Sequence, residues 1–273
     1  MFGHSELKIL CLGDIVGSIG RRAILQLVPE LRKKYKPDLV IANVENLAHG
    51  MGITPKTWQE IKNVIDVGTG GNHILEKPEG ESLLADAKTP IIRPLNFSGG
   101  AAGRGFIIVP TDKGDVLIIN ATGRVFFREA ADYSNPFPAV ADLIRQQTAE
   151  KKFAAIIVDF HGEATSEKVA MGLWLDGKAS AVVGTHTHVP TADARILPGG
   201  TAVVTDLGMV GADYSIIGGD AAVILPGFVE ERRTSFDIPE RGPAVLNGVL
   251  LTIDPATGKA LAIERVDRQT KIA

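Results

Sequence analysis

Short apolar runs that break into glycine and polar residues recur along the chain, and between them apolar residues repeat at helical spacing. Residues 7–12 (LKILCL) read as a buried strand that ends in Gly13-Asp14. Ile24, Leu25, Leu27, Val28 and Leu31 then follow at helical spacing, with Pro29 marking a kink or the first turn of a second helix. Residues 39–44 form a second strand, and Thr54-Pro55 supplies an N-cap and a first-position proline for a helix through about Ile65. A third strand covers residues 66–69, and strands at 154–160 and 181–184 are separated by the helical stretch SEKVAMGLWL. This alternation predicts an α/β sheet with helices on its faces. Antiparallel pairs join it. Residues 106–109 and 116–120 flank TDKGD as a hairpin, 195–206 turn at Gly199-Gly200, and 245–253 pair with 260–266 across DPATGK. The pattern predicts one mixed α/β domain over residues 1–273, with two packed sheets between helical layers.

Composition narrows the function. At 273 residues, 45% hydrophobic and 22% charged, the chain is an ordinary globular one, which excludes disorder and fibres. Its 29 Lys and Arg against 32 Asp and Glu leave a net charge of −3, so no broad positive field exists for duplex DNA or an anionic membrane. The first residues lack a basic region and a small-residue cleavage site, and no run reaches about 18 apolar residues, so the expected compartment is the cytoplasm. A single cysteine, Cys11, forms no internal disulfide or thiolate cage and reads as a small buried hydrophobe. Any metal must therefore be held by nitrogen and oxygen. The histidines to follow are His4, His49, His73, His161, His186 and His188.

Polar residues follow the parallel strands: Asp14, Glu45-Asn46, Asn72-His73, His161, and His186 with His188. In open α/β sheets the carboxyl ends share one edge, so these residues can converge on one cleft. His186 and His188, at i and i+2 in extended chain, would face one way. Glu45 and Asn46 can both join only if their strand has already ended. A single Asp or Asn after a strand is ordinarily a turn or cap residue. The pair in GTHTH and the joint placement point instead to coordination. Asp14, Glu45, Asn46, Asn72, His161, His186 and His188 exceed one tetrahedral zinc and suit two metals sharing a carboxylate, with iron, manganese or zinc favoured. Thr165 and Ser166 read as helix caps, and SGGAAGRG lacks the Lys-Ser/Thr ending of a P-loop. Arg93, Arg104 and Arg124 could meet a phosphate but are ordinarily surface groups.

The segments GDIVG, NVENLAHGMGIT, GNH, VDFHGEATSEK, GTHTHVPTAD and TDLGMVGADYSIIGGD resemble, in order and over nearly the whole chain, the YmdB-like branch of the calcineurin-like metallophosphoesterases. The resemblance implies a four-layer αββα fold and a dinuclear centre of iron, or manganese as a substitute. The activity it implies is hydrolysis of 2′,3′-cyclic nucleotides by a bridging hydroxide. On the matching positions, one metal would take Asp14, Glu45 and His188, and the other would take Glu45 as bridge with Asn46, Asn72, His161 and His186. His73 matches the family's general acid. Where the wider superfamily begins D-x-H, this chain has Asp14-Ile15-Val16, and GNHILEK replaces the branch's usual GNHTWD, with Ile74, Leu75 and Glu76 beside the acid. His49 stands where a small residue is usual and could crowd the site. Two other functions remain open: a phosphomonoesterase on the same metals, and a low-turnover regulatory or RNA-associated protein. The expected partner is a small phosphodiester, with no membrane and no broad nucleic-acid surface, in a chain that could form homo-oligomers.

Overall fold

The computed structural model describes residues 6–98 and 100–273, so His4 lies outside the described residues. Along the chain run β1 (Leu7–Ile15), α1 (Gly17–Tyr35), β2 (Leu39–Asn43), α2 (Pro55–Ile61), β3 (Val67–Thr69) and α3 (Glu81–Ala85). Then come β4 (Phe106–Val109), β5 (Val116–Thr122), α4 (Pro136–Glu150), β6 (Ala155–His161), α5 (Thr165–Trp174) and β7 (Ala181–Thr185). The last part holds β8 (Arg195–Ile196), β9 (Ala202–Val204), β10 (Met209–Ala212), α6 (Ala221–Val229), β11 (Gly242–Leu246), β12 (Gly248–Asp254), β13 (Lys259–Arg265) and β14 (Arg268–Ile272).

Two sheets result. One runs β4-β5-β6-β7-β9-β8, and its β5, β6, β7 and β9 are mutually parallel. The other centres on β1, which pairs with β2 along one edge and, along the opposite edge, with β12 up to Leu12 and then with β10 from Asp14. Alternation along the strands assigns the layers. Leu7, Ile9 and Cys11 of β1 meet Val116, Ile118, Ile157 and Val183 of the other sheet in one dry core. Leu10, Leu12 and Ile15 face the opposite way, onto Ile24, Leu27, Val28 and Leu31 of α1. Ile119, Val158 and Phe160 likewise face Val140 and Ile144 of α4 and Met171 of α5. The order is helix, sheet, sheet, helix: the four-layer αββα fold. Cys11 is fully buried, as a small hydrophobe in such a strand should be.

Several elements differ from the pattern. Helix α1 runs unbroken through Pro29, whose fixed φ is helical and whose neighbours Val28 and Leu31 are anchored in the core. Residues 245–253 are two strands, not one. The chain breaks at Asn247, sending β11 to β10 and β14 while β12 goes to β1 and β13. Helix α2 is capped as expected by Thr54, whose hydroxyl accepts the Thr57 N–H, but it ends at Ile61. Thr165 and Ser166 do not cap α5. Its N-cap is Ala164, without a side-chain bond.

At Gly13 the register of β1 against β2 shifts by one residue, and this irregularity delivers Asp14 to the sheet edge. A Cβ there would lie 1.9 Å from the Gly208 carbonyl oxygen, which is backbone and cannot swing away. Gly13→Ala is therefore expected to cost about 1–3 kcal/mol or more, read as a lowered midpoint in urea denaturation; an unchanged midpoint would contradict the close approach.

Candidate metal centre

Every candidate ligand sits where a strand of the two sheets ends. Asp14 is near the end of β1, His161 is the last residue of β6, and Glu45-Asn46, Asn72-His73 and His186–His188 follow β2, β3 and β7. Strand β2 has ended at Asn43, which lets Glu45 and Asn46 join the same site. His186 and His188 are not in extended chain. Strand β7 stops at Thr185 and both histidines have positive φ, +102° and +64°, so a turn and not strand alternation brings them to the site.

Four atoms converge. His161 Nε2 lies 3.0 Å from Glu45 Oε1, 3.0 Å from Asn72 Oδ1 and 3.0 Å from His186 Nδ1. One ring nitrogen has a single proton or a single lone pair, so it cannot satisfy three partners. The tautomers sharpen the point. Thr185 Oγ1 donates to Asp159 Oδ1 at 2.7 Å and accepts from His161 Nδ1 at 2.9 Å, which turns the Nε2 lone pair of neutral His161 inward. His186 Nε2 donates to Glu163 Oε2 at 2.9 Å, turning its Nδ1 lone pair to the same point. His188 Nδ1 donates to the Ile217 carbonyl at 2.8 Å, leaving Nε2 toward Asp14 Oδ1 at 3.8 Å. Each histidine is thus held in a ligating tautomer by an acceptor behind it, as metal-bound histidines are.

Asp14 Oδ1 and Asn46 Oδ1 are buried with no hydrogen-bond partner, although Asn46 Nδ2 is spent on the Gly50 carbonyl. Burial pushes the Asp14 carboxyl up against the pull of His188 and His161. Burial also opposes ionisation of Glu45, but His161 draws it below the usual range. Burial would depress His161, yet Glu45, Asp14 and Asp159 carry it up to about 9, while burial and the His161 charge push His186 down to about 2. The cluster attracts positive charge to one point and has only one proton there to offer. A cation with several coordination positions fits it, and Glu45, His161 and His186 alone present three such atoms within 4.8 Å of one another. Gly71 keeps the cluster this tight, since a Cβ there would lie 2.3 Å from Glu45 Oε2 and 2.4 Å from His161 Nε2.

Above the cluster opens a cavity of about 350 Å³ lined by Glu45, Asn46, His73, Glu163, His186 and His188 among others. His73 donates its backbone N–H to Glu45 Oε2 at 3.0 Å and takes Asn72 Nδ2 on Nε2 at 3.3 Å, leaving Nδ1 without a hydrogen-bond partner. His49 is exposed and does not line the cavity. Ile74 is buried and Leu75 packs on the core, while the Glu76 carboxylate lies 3.7 Å from His73 Nδ1. Arg93, Arg104 and Arg124 turn to backbone carbonyls of Ala102, Thr89 and Ala130 and stay out of the cavity.

Sequence reasoning missed the supports. Glu163 and Asp159 both lie two residues from His161, and Asp159 shares its strand face, which is a readable signal. Two others are visible only in space. Buried Asp206 pairs with Lys168 at 2.6 Å and takes both the Thr187 N–H and hydroxyl, pinning the loop between the histidines. Buried Glu167 accepts the N–H groups of Arg124 and Val125, fixing the loop whose Phe127 ring packs 4.8 Å from that of His186.

Two sheets packed between helical layers, with nitrogen and oxygen donors gathered at their strand ends, define a metallophosphoesterase. Residues 10–266 match the profile of the YmdB-like protein family, and the chain belongs to it. It is 44% identical over 261 residues to the 2′,3′-cyclic-nucleotide 2′-phosphodiesterase of Bacillus subtilis, covering 95% of this chain and 96% of that one. Among solved structures, a novel phosphatase from Mycoplasma pneumoniae superposes with a TM-score of 0.87 at 34% identity, over 98% of this chain and 95% of the other. A hypothetical protein from Thermus thermophilus gives 0.86 at 36%, over 98% and 100%. Among the described residues no helix is long and apolar enough to cross a membrane.

Glu163→Ala removes the acceptor that fixes the His186 tautomer, so metal affinity should fall by about 10- to 100-fold with the circular dichroism spectrum kept. Titration with Mn²⁺ followed by calorimetry checks this, and unchanged affinity would contradict the role given to Glu163.

Proposed function

We propose that the protein hydrolyses 2′,3′-cyclic nucleotides at a dinuclear centre, breaking the bond from phosphorus to the 2′ oxygen. The observation that carries this reading is the three-way convergence on His161 Nε2 beneath a cavity that His73 lines. The similarity to the Bacillus subtilis enzyme supports the substrate class. Asp14, Glu45 and His188 would hold one ion, and Glu45, Asn46, Asn72, His161 and His186 the other. Iron, or manganese in its place, suits this thiolate-free set. Such ions supply charge neutralisation at the phosphoryl oxygens and a hydroxide nucleophile at neutral pH.

The chain's own groups do the rest. Glu45 has one oxygen toward His161 and the other tied to the His73 backbone, so the acid and a ligand share one support. His73, which lines the cavity and is tied through its backbone N–H to Glu45, would act as imidazolium and give its proton to the departing 2′ oxygen. A water oxygen would join phosphorus and yield its proton to solvent, the bond to the 2′ oxygen would break with the proton of His73 passing to that oxygen, and a 3′-monophosphate would result, His73 regaining its proton from solvent.

His73→Ala should retain metal and lose about 10²- to 10⁴-fold in kcat on 2′,3′-cyclic AMP. Glu45→Gln should lose metal as well as activity. Elemental analysis beside kinetics on cyclic nucleotide, cyclic dinucleotide and simple monoester substrates separates the outcomes. Parent-level turnover by His73→Ala sinks the acid assignment, and preference for the monoester sinks the substrate.

A further inference from the structure

The turn that anchors His188 breaks a local rule. Ile216 and Gly219 exchange two backbone hydrogen bonds of 2.9 Å, making Ile217 and Gly218 the central residues of a tight hairpin turn. Both have positive φ, +47° and +101°, the type I′ pattern that favours Asn-Gly. A β-branched residue at such a φ is a genuine outlier, and strain of this kind gathers at functional sites. The carbonyl offered to His188 does not require isoleucine, because asparagine would present the same backbone with less strain. What isoleucine adds is its side chain. That side chain is 46% exposed on the cavity wall, beside Met51 at 46% and Phe236 at 44%.

The cavity lining is mixed. Beside Glu45, Asn46, His73, His186 and His188 stand the apolar side chains of Met51, Ile217 and Phe236. No Lys or Arg is among the described residues that line it, so it offers no cationic side chain to a further phosphate. Resting on the phosphodiesterase reading above, we propose that Met51, Ile217 and Phe236 are the subsite for the nucleobase of a mononucleotide substrate. A base has apolar faces and is tied through its ribose to the phosphate, so it would meet these side chains while the phosphate meets the histidines. The strain at Ile217 is kept because the position must both hold His188 and cover the base.

The metal-loaded enzyme tests this with 2′,3′-cyclic AMP and with methyl riboside 2,3-cyclic phosphate, which lacks the base. The parent should show a KM about tenfold lower for the nucleotide. Phe236→Ala and Ile217→Asn should each raise that KM by about tenfold, with a smaller change in kcat, and the preference over the base-less substrate should collapse. Ile217→Asn should also raise Tm, since asparagine suits the turn, which a purely structural role for isoleucine would not allow. Equal KM values in the parent, or parallel losses on both substrates in the variants, overturn the proposal. If the parent hydrolyses neither compound, it is the reading of the reaction that fails. Calorimetry with adenosine 3′-monophosphate and ribose 3-phosphate then decides the subsite: tighter nucleotide binding lost in Phe236→Ala upholds it, and equal binding overturns it.

Discussion

One imidazole nitrogen with three polar neighbours at 3.0 Å is the constraint around which the site is arranged. His161 Nε2 can bond to one of Glu45, Asn72 and His186, so without a cation two contacts at that point are unfavourable. Left to itself such a cluster would spread apart. It is held by features built elsewhere in the fold: Asp159 and Thr185 behind His161, Glu163 behind His186, the Ile217 carbonyl behind His188, and a glycine at 71 where any side chain would collide.

Those supports depend on the two-sheet sandwich. Asp159 and His161 point from the same face of β6 because strand residues alternate, and Thr185 reaches His161 because β6 and β7 pair in register at His161 and Thr185. Burial pushes the Asp159 carboxyl up to about 6 against the hydroxyls of Thr69 and Thr185, a cost carried by the dry core between the sheets. The buried Lys168–Asp206 pair serves the same end. Its carboxylate is worth more for pinning Thr187, between two histidines, than for the ion pair itself, since buried pairs add little net stability.

Much of the fold was legible because its central strands are apolar on both faces, and the hairpins at Gly114 and Gly199 carry turn residues. Elements with a thin apolar signature were not. Helix α4 buries one stripe of four residues, Pro136, Val140, Leu143 and Ile144, and β14 is an edge strand with Ile272 alone buried. Residues that end strands announced the site, since a polar group after a buried run is visible along the chain. The groups behind them were hidden, because Glu167, Lys168 and Asp206 acquire their roles only through contacts dozens of residues away. The paired histidines reach the cluster by a geometry other than strand alternation: His186 and His188 meet it by positive-φ backbone, which alternation does not anticipate.

The central claim is that the atoms around His161 Nε2 are cation ligands. Anomalous X-ray scattering from crystals of the manganese-loaded protein tests it most directly. The account predicts one peak within bonding distance of Glu45, Asn72, His161 and His186, and a second beside Asp14, Glu45 and His188. Bound manganese elsewhere, with no peak among these residues, would contradict it.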